Sequence, residues 1–141
     1  MNLIFTEALP DPAAYFALFN TTGWNDEYGL DAATLFAALR QSWYFVAAYD
    51  GATLAGTGRI VSDGVLHALI VDVIVRPEYQ GRGIGTRVME RLLARCRAAG
   101  LRDVQLFCAR DKAPFYARLG FVPRPTEAPG MDWRPGAAPA G

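Results

Sequence analysis

Cysteine and histidine are both scarce in this chain. Cys96 and Cys108 are the only cysteines and His67 the only histidine among 141 residues. So few thiols exclude a disulfide framework, and their positions give no metal-ligand spacing, so no metal is expected. A surplus of charge is missing too, because 14 basic and 14 acidic side chains leave a formal net charge of zero. Nucleic acid and anionic membrane both draw on an excess of Lys and Arg, so neither is expected as a partner. No apolar run reaches the ~18 residues that would cross a bilayer. The stretch from Met1 to Pro12 lacks the basic start and apolar core of a signal peptide. A cytoplasmic protein with reduced thiols is the expectation.

What is present reads as globular. The chain is 52% hydrophobic and only 20% charged, well away from a disordered composition. Its length suits one domain, expected over residues 1–133, with no internal repeat or linker. The tail from Arg134 to Gly141 has nothing to bury and is expected to be loose.

Hydrophobic period and punctuation divide the chain into elements. Asn2 to Thr6 suits a short strand. Asp11 to Phe19 and Asp31 to Arg40 suit two helices, each opened by an Asp able to cap free N–H groups. Between them, Asn20 to Gly29 reads as a long polar and aromatic loop, a candidate substrate wall. Three strands follow, Trp43 to Tyr49, Thr53 to Val61 and Val65 to Val75, with turns at Asp50-Gly51 and Ser62 to Gly64. From Ile84 the period becomes helical. Ile84, Val88, Met89, Leu92, Leu93, Cys96 and Ala99 share one face, Arg87, Arg91 and Arg95 another, and Gly100 stops the helix. A strand at Val104 to Cys108, a helix at Lys112 to Leu119 and a strand at Phe121-Val122 complete a mixed α/β order.

The most informative segment runs from Val71 to Thr86, where an apolar strand ends at Arg76-Pro77 and a Gly-rich turn opens a helix. A helix start exposes N–H groups without partners and carries partial positive charge. Glycines keep side chains out of the way, so the junction is a backbone cradle for phosphate, with Arg82 as a charged addition. It is neither a nucleotide P-loop, which needs Gly-Lys-Ser/Thr, nor a dinucleotide fingerprint.

Gln80, Gly83 and Gly85 resemble the Gln/Arg-x-x-Gly-x-Gly/Ala loop of the GNAT superfamily of acetyl-coenzyme A–dependent N-acetyltransferases. Phe115, Tyr116, Gly120 and Phe121 match the family's second segment, Phe-Tyr-x-x-x-Gly-Phe. The resemblance covers roughly residues 43 to 122. It implies a mixed, mostly antiparallel sheet in the order β-α-α-β-β-β-α-β-α-β, with the fourth and fifth strands splayed so that pantetheine fits between them. It further implies that Val73 and Val75 pair with pantetheine and that Gln80, Gly81, Arg82, Gly83, Ile84, Gly85 and Thr86 surround the pyrophosphate. Phe115 is implied as a further cofactor contact and Tyr116 as the proton donor to the departing thiolate. The plain alternative for Tyr116 is a half-buried core tyrosine.

The sequence also departs from the family. Leu69 and Val71 stand where family members with a recognised general base often carry Glu or His, and Asp72 alternates to the opposite face unless a bulge intervenes. His67 lies further up the strand. No base is assigned, and water or free amine from solution is an equal candidate. Ala109 and Lys112 stand where relatives carry Asn and Ala, and Arg110 or Lys112 suits either phosphate binding or a solvated helix start. Cys108 has no His partner and is discounted as a nucleophile.

The expected function is transfer of acetyl from acetyl-coenzyme A to a primary amine of a small molecule. Trp24, Asn25 and Tyr28 are expected on the acceptor side, with Trp43 and Tyr44 as further parts of an aromatic wall. Asp26 and Glu27 suit either attraction of an ammonium group or plain solvation. Acetylation of protein Lys or an N-terminus, and a non-catalytic acyl-coenzyme A module, are the alternatives. A homodimer is compatible with the sequence.

Overall fold

The computed structural model describes residues 1–136. Residues 137–141, the greater part of the expected tail, lie outside the described residues.

Five strands lie side by side in chain order: β1 (Leu3–Thr6), β2 (Tyr44–Asp50), β3 (Thr53–Ser62), β4 (His67–Val75) and β5 (Asp103–Leu106). The first four pair antiparallel, and β4 and β5 pair parallel. That last pairing covers only His67–Ile70 against Asp103–Leu106. Beyond Ile70, β4 continues to Val75 with no β5 partner, which is the expected splay. The mixed, mostly antiparallel fold anticipated from the sequence is therefore present.

Both helix caps form as their chemistry dictates. Asp11 accepts the Ala14 N–H at 3.3 Å ahead of α1 (Pro12–Asn20). A short helix, α2 (Asn25–Tyr28), then occupies part of the segment expected to be all loop. Asp31 accepts the Thr34 N–H at 2.8 Å ahead of α3 (Ala32–Arg40). Tyr15, Leu18 and Phe19 from α1 and Leu35 and Leu39 from α3 bury themselves on Phe45, Ala47, Leu54 and Ile74.

The long helix α4 (Ile84–Ala99) is the crossover that a parallel β4–β5 pair requires. It buries Ile84, Val88, Met89, Leu92 and Cys96 and ends at left-handed Gly100, φ 68°. Its seat on β3 depends on two glycines. A Cβ on Gly58 would lie 2.7 Å from Val88 Cγ1 and 2.9 Å from Leu92 Cδ1. A Cβ on Gly56 would lie 3.2 Å from Ile84 Cγ2. Since Phe45 pairs with Arg59 and Ala47 with Thr57, alternation places Gly56 and Gly58 on the face opposite the α1–α3 core.

Met1–Leu106 form one compact unit, and a second begins at Phe107. The second holds α5 (Ala113–Ala117) and left-handed Gly120, φ 97°. The strand expected at Phe121-Val122 is not formed. The Phe121 N–H bonds the Tyr116 carbonyl at 3.2 Å instead, and Pro123 and Pro125 offer no N–H to a ladder. β5 likewise ends at Leu106, two residues before the expected Cys108.

Candidate active site

The Gly-rich junction is built as a cradle and anchored at both sides. After β4, a 3-10 turn at Pro77–Tyr79 carries the chain toward α4. The Tyr79 hydroxyl donates to Asp50 at 2.8 Å, and the Gln80 amide donates to the Val75 carbonyl at 3.1 Å. The Tyr79 bond holds the Asp50 carboxyl below its ordinary range and the Tyr79 phenol above its own. Gly81 and Gly83 both adopt left-handed backbone, φ 77° and 81°, and a Cβ on either would meet nothing within 4 Å. Gly83 is the N-cap of α4, and no side chain caps that end. Among the described residues, the N–H groups from Gly81 to Thr86 have no acceptor. Uncovered donors, open space and the positive end of a 16-residue helix together suit an anion. Arg82 is exposed, with its guanidinium 5.5 Å from the Tyr79 ring centre.

On β4, Val73 and Val75 lie in the splayed stretch. The Arg76 N–H bonds Ala55 of β3 at 2.8 Å. By alternation Val75 and Val73 turn their N–H and C=O toward the opposite edge, which β5 does not cover and where the Val75 carbonyl accepts the Gln80 amide.

A bulge does intervene at Asp72. Thr57 pairs with Ile74 and Arg59 with Val71, so Asp72 and Val73 together oppose Gly58. Asp72 has φ 53°, left-handed for a non-glycine residue. The extra residue brings its carboxylate back to the face of Val71, where Arg59 Nε donates to it at 3.0 Å. Arg59 Nη1 also donates to Ser42 Oγ at 3.3 Å and to the Ala38 carbonyl at 3.5 Å. Asp72 is therefore on the expected acceptor face, contrary to the simple alternation, but an ion pair occupies it. Burial above all, and then the Asp72 charge, raises the Tyr15 phenol beneath this cluster. The hydroxyl of fully buried Thr57 has no partner among the described residues. His67 is remote in character, an exposed side chain 2.8 Å from Asp103 Oδ2.

The acceptor-side candidates do not form one wall. Trp24 packs edge-on against Phe19 at 5.8 Å, on the α1–α3 side. Trp43 and Tyr44 instead lie under Arg95 of α4, 4.2 Å and 5.8 Å from its guanidinium carbon. Asn25 is spent within its own loop: its amide donates to Asn20 Oδ1 and the Leu30 carbonyl and accepts the Leu30 N–H. Tyr28 is exposed, as are Asp26 and Glu27.

In the second unit, Tyr116 is half-buried between Phe115 and Phe121, with edge-on ring separations of 5.0 Å and 6.0 Å. Burial, and secondarily Cys108, raises its phenol above the ordinary value. Cys108, Ala109, Arg110 and Lys112 are exposed, and Asp111 has φ 63°. No group of three or more His, Cys, Asp or Glu side chains suited to a metal occurs among the described residues. Arg59 was not singled out from the sequence. A lone Arg between Gly58 and Ile60 in an apolar strand was the available signal.

Residues 10–121 match the Acetyltransferase (GNAT) family. Over 82 residues the chain is 39% identical to an uncharacterized N-acetyltransferase, ycf52, of Porphyra purpurea, across 58% of this chain and 47% of that protein. It is 41% identical over 73 residues to serotonin N-acetyltransferase 2, chloroplastic, of Oryza sativa subsp. japonica, across 52% of this chain and 36% of that protein. The chain spans about half the length, or less, of these curated relatives. Among solved structures, a GNAT-family acetyltransferase of Streptococcus pneumoniae TIGR4 superposes with a TM-score of 0.76 at 26% identity. That match covers 96% of this chain and 98% of the other.

Proposed function

This chain belongs to the GNAT family of acetyltransferases, and on that premise we propose that it moves acetyl from acetyl-coenzyme A to a primary amine of a small molecule. Residues 1–133 act as one catalytic domain, and transfer is direct, within a ternary complex. The observation that carries the reading is the junction at Gly81–Thr86, where unpartnered amides, two left-handed glycines and a long helix meet. Its amides take the pyrophosphate, and the open edge at Val73 and Val75 takes pantetheine as an added strand. Likeness to a serotonin N-acetyltransferase supports a small amine as acceptor.

The chemistry asks three things of the chain. The acceptor nitrogen must be neutral, and an ordinary alkylammonium has a pKa of ~10.4. Asp72 is held by Arg59, so the amine loses its proton to water. Nitrogen then attacks the thioester carbonyl, the carbon–sulfur bond breaks, and Tyr116 gives its proton to the departing thiolate. A phenol raised by burial keeps that proton at neutral pH and recovers it from solvent after each turnover.

Release of coenzyme A thiol with matched panels of alkylamines, Lys peptides and free N-terminal peptides tests the reading. Small amines are expected to give the largest kcat/KM. Release with peptides alone would make proteins the acceptor, and tight binding of acetyl-coenzyme A without any release would make the chain a binding module.

A further inference from the structure

We propose that Arg59 is a positioning residue for the acyl donor, holding the β4 bulge that turns Val73 and Val75 to the open edge of the sheet. The inference rests on the acetyltransferase reading above and concerns residues to which that reading gives no part in donor binding.

Asp72 is the extra residue of the bulge and one of two non-glycine residues with positive φ among the described residues. An L side chain there is strained, although Asp tolerates the left-handed region better than most. Something must hold it. Its carboxylate sits on Arg59 Nε at 3.0 Å, and both side chains are largely covered, 16% and 24% exposed. The guanidinium is itself fixed by the end of α3 through Ala38 and by Ser42 before β2.

The consequence for the donor follows from strand geometry. Successive residues of a strand point their N–H and C=O to alternate edges, so one inserted residue reverses the phase of everything after it. With the bulge in place, Arg76 bonds back to Ala55 of β3 and Val73 and Val75 face outward. Without it, the residues facing outward would exchange with their neighbours, and an incoming pantetheine would meet the wrong donors and acceptors. An ion pair that served stability alone would weaken no ligand selectively.

Calorimetric titrations with acetyl-coenzyme A and with adenosine diphosphate, which carries the pyrophosphate but no pantetheine, separate these roles. Arg59→Gln is expected to lower acetyl-coenzyme A affinity about tenfold and to change adenosine diphosphate affinity less than about twofold. In steady state, the KM for acetyl-coenzyme A should rise more than kcat falls. Asp72→Gly added to Arg59→Gln should restore the affinity, because glycine adopts φ 53° unaided. Should Arg59→Gln fail to fold, the pair Asp72→Gly and Asp72→Val serves instead. Both lack the carboxylate, but only glycine keeps the bulge, so only Asp72→Val should lose acetyl-coenzyme A. Equal loss of both ligands in Arg59→Gln, no loss of either, or equal affinity in Asp72→Gly and Asp72→Val would overturn the positioning role. Wild-type affinity for acetyl-coenzyme A tests the underlying reading separately.

Discussion

Replacing Gly83 and Gly85 by alanine, one at a time, should move stability in opposite directions. Gly83 caps α4 at φ 81°, where an L side chain costs about 1–2 kcal/mol. That loss lowers Tm by roughly 3–8 °C in a domain of this size. Gly85 is not among the positive-φ glycines and lies inside α4, so alanine there should add about 0.5–1 kcal/mol by restricting the unfolded chain. Ligand affinity should follow a different rule. A Cβ on Gly83 meets no protein atom within 4 Å, so a loss of binding comes from the space it takes from the ligand or from a shift of the strained turn, and not from a clash within the protein. Acetyl-coenzyme A affinity should fall at least about tenfold, or ~1.4 kcal/mol. Gly85→Ala should bind normally, since the family motif accepts Ala at that place. Thermal unfolding with and without ligand reads both effects together, because ligand at 100 times Kd adds about 2.7 kcal/mol to the folded state. Folded Gly83→Ala that keeps its full ligand-induced shift would refute the cradle.

Three further outcomes follow from the same structure. Tyr116→Phe should slow the chemical step by ~10²-fold or more with little change in acetyl-coenzyme A affinity, read by single-turnover kinetics. An unchanged rate would leave Tyr116 a packing residue between Phe115 and Phe121. With a saturating alkylamine, the rate should climb through pH 8 to 9 as the neutral amine gains about tenfold per unit. Because burial raises the Tyr116 phenol, the falling limb belongs above its ordinary value near 10. Asp72→Asn should preserve the shape of that profile, and a plateau near pH 7 that the substitution abolishes would make Asp72 the base. Thr57→Val should hold or raise Tm, since the lost hydroxyl is buried without a partner, a state that costs about 1–3 kcal/mol. A fall in Tm beyond the ~1 kcal/mol expected of repacking would show that the hydroxyl is bonded after all.

Local signals in the chain were reliable where one residue decides the outcome. Asp11 and Asp31 cap their helices, Gly100 ends α4, and the glycines from Gly81 to Gly85 open it. The apolar stripe of α4 is buried much as its spacing requires. Features set by pairing between strands were harder to read. Leu69, Val71, Val73 and Val75 look like one uninterrupted face, but a single inserted residue at Asp72 divides them. Nothing in composition announces that insertion, because it exists only relative to β3. Trp24 and Trp43 looked alike as wall residues, and the sheet between them puts each to a separate packing task. The strand expected at Phe121-Val122 gave way to Pro123 and Pro125 and to a helix-end hydrogen bond. Asn25 was expected on the acceptor side, and nothing in its residue type showed that its amide would bond Asn20 and Leu30 within the loop.

The most direct measurement is mass spectrometry of acceptor and donor together after incubating the full chain with acetyl-coenzyme A and a primary alkylamine at pH 8.5. Acetylated amine and free coenzyme A should appear in equal amounts, at a rate that depends on both concentrations and falls with Gly83→Asp. Coenzyme A released without acetylated product, or no product across the amine and peptide panels, would contradict direct transfer to an amine.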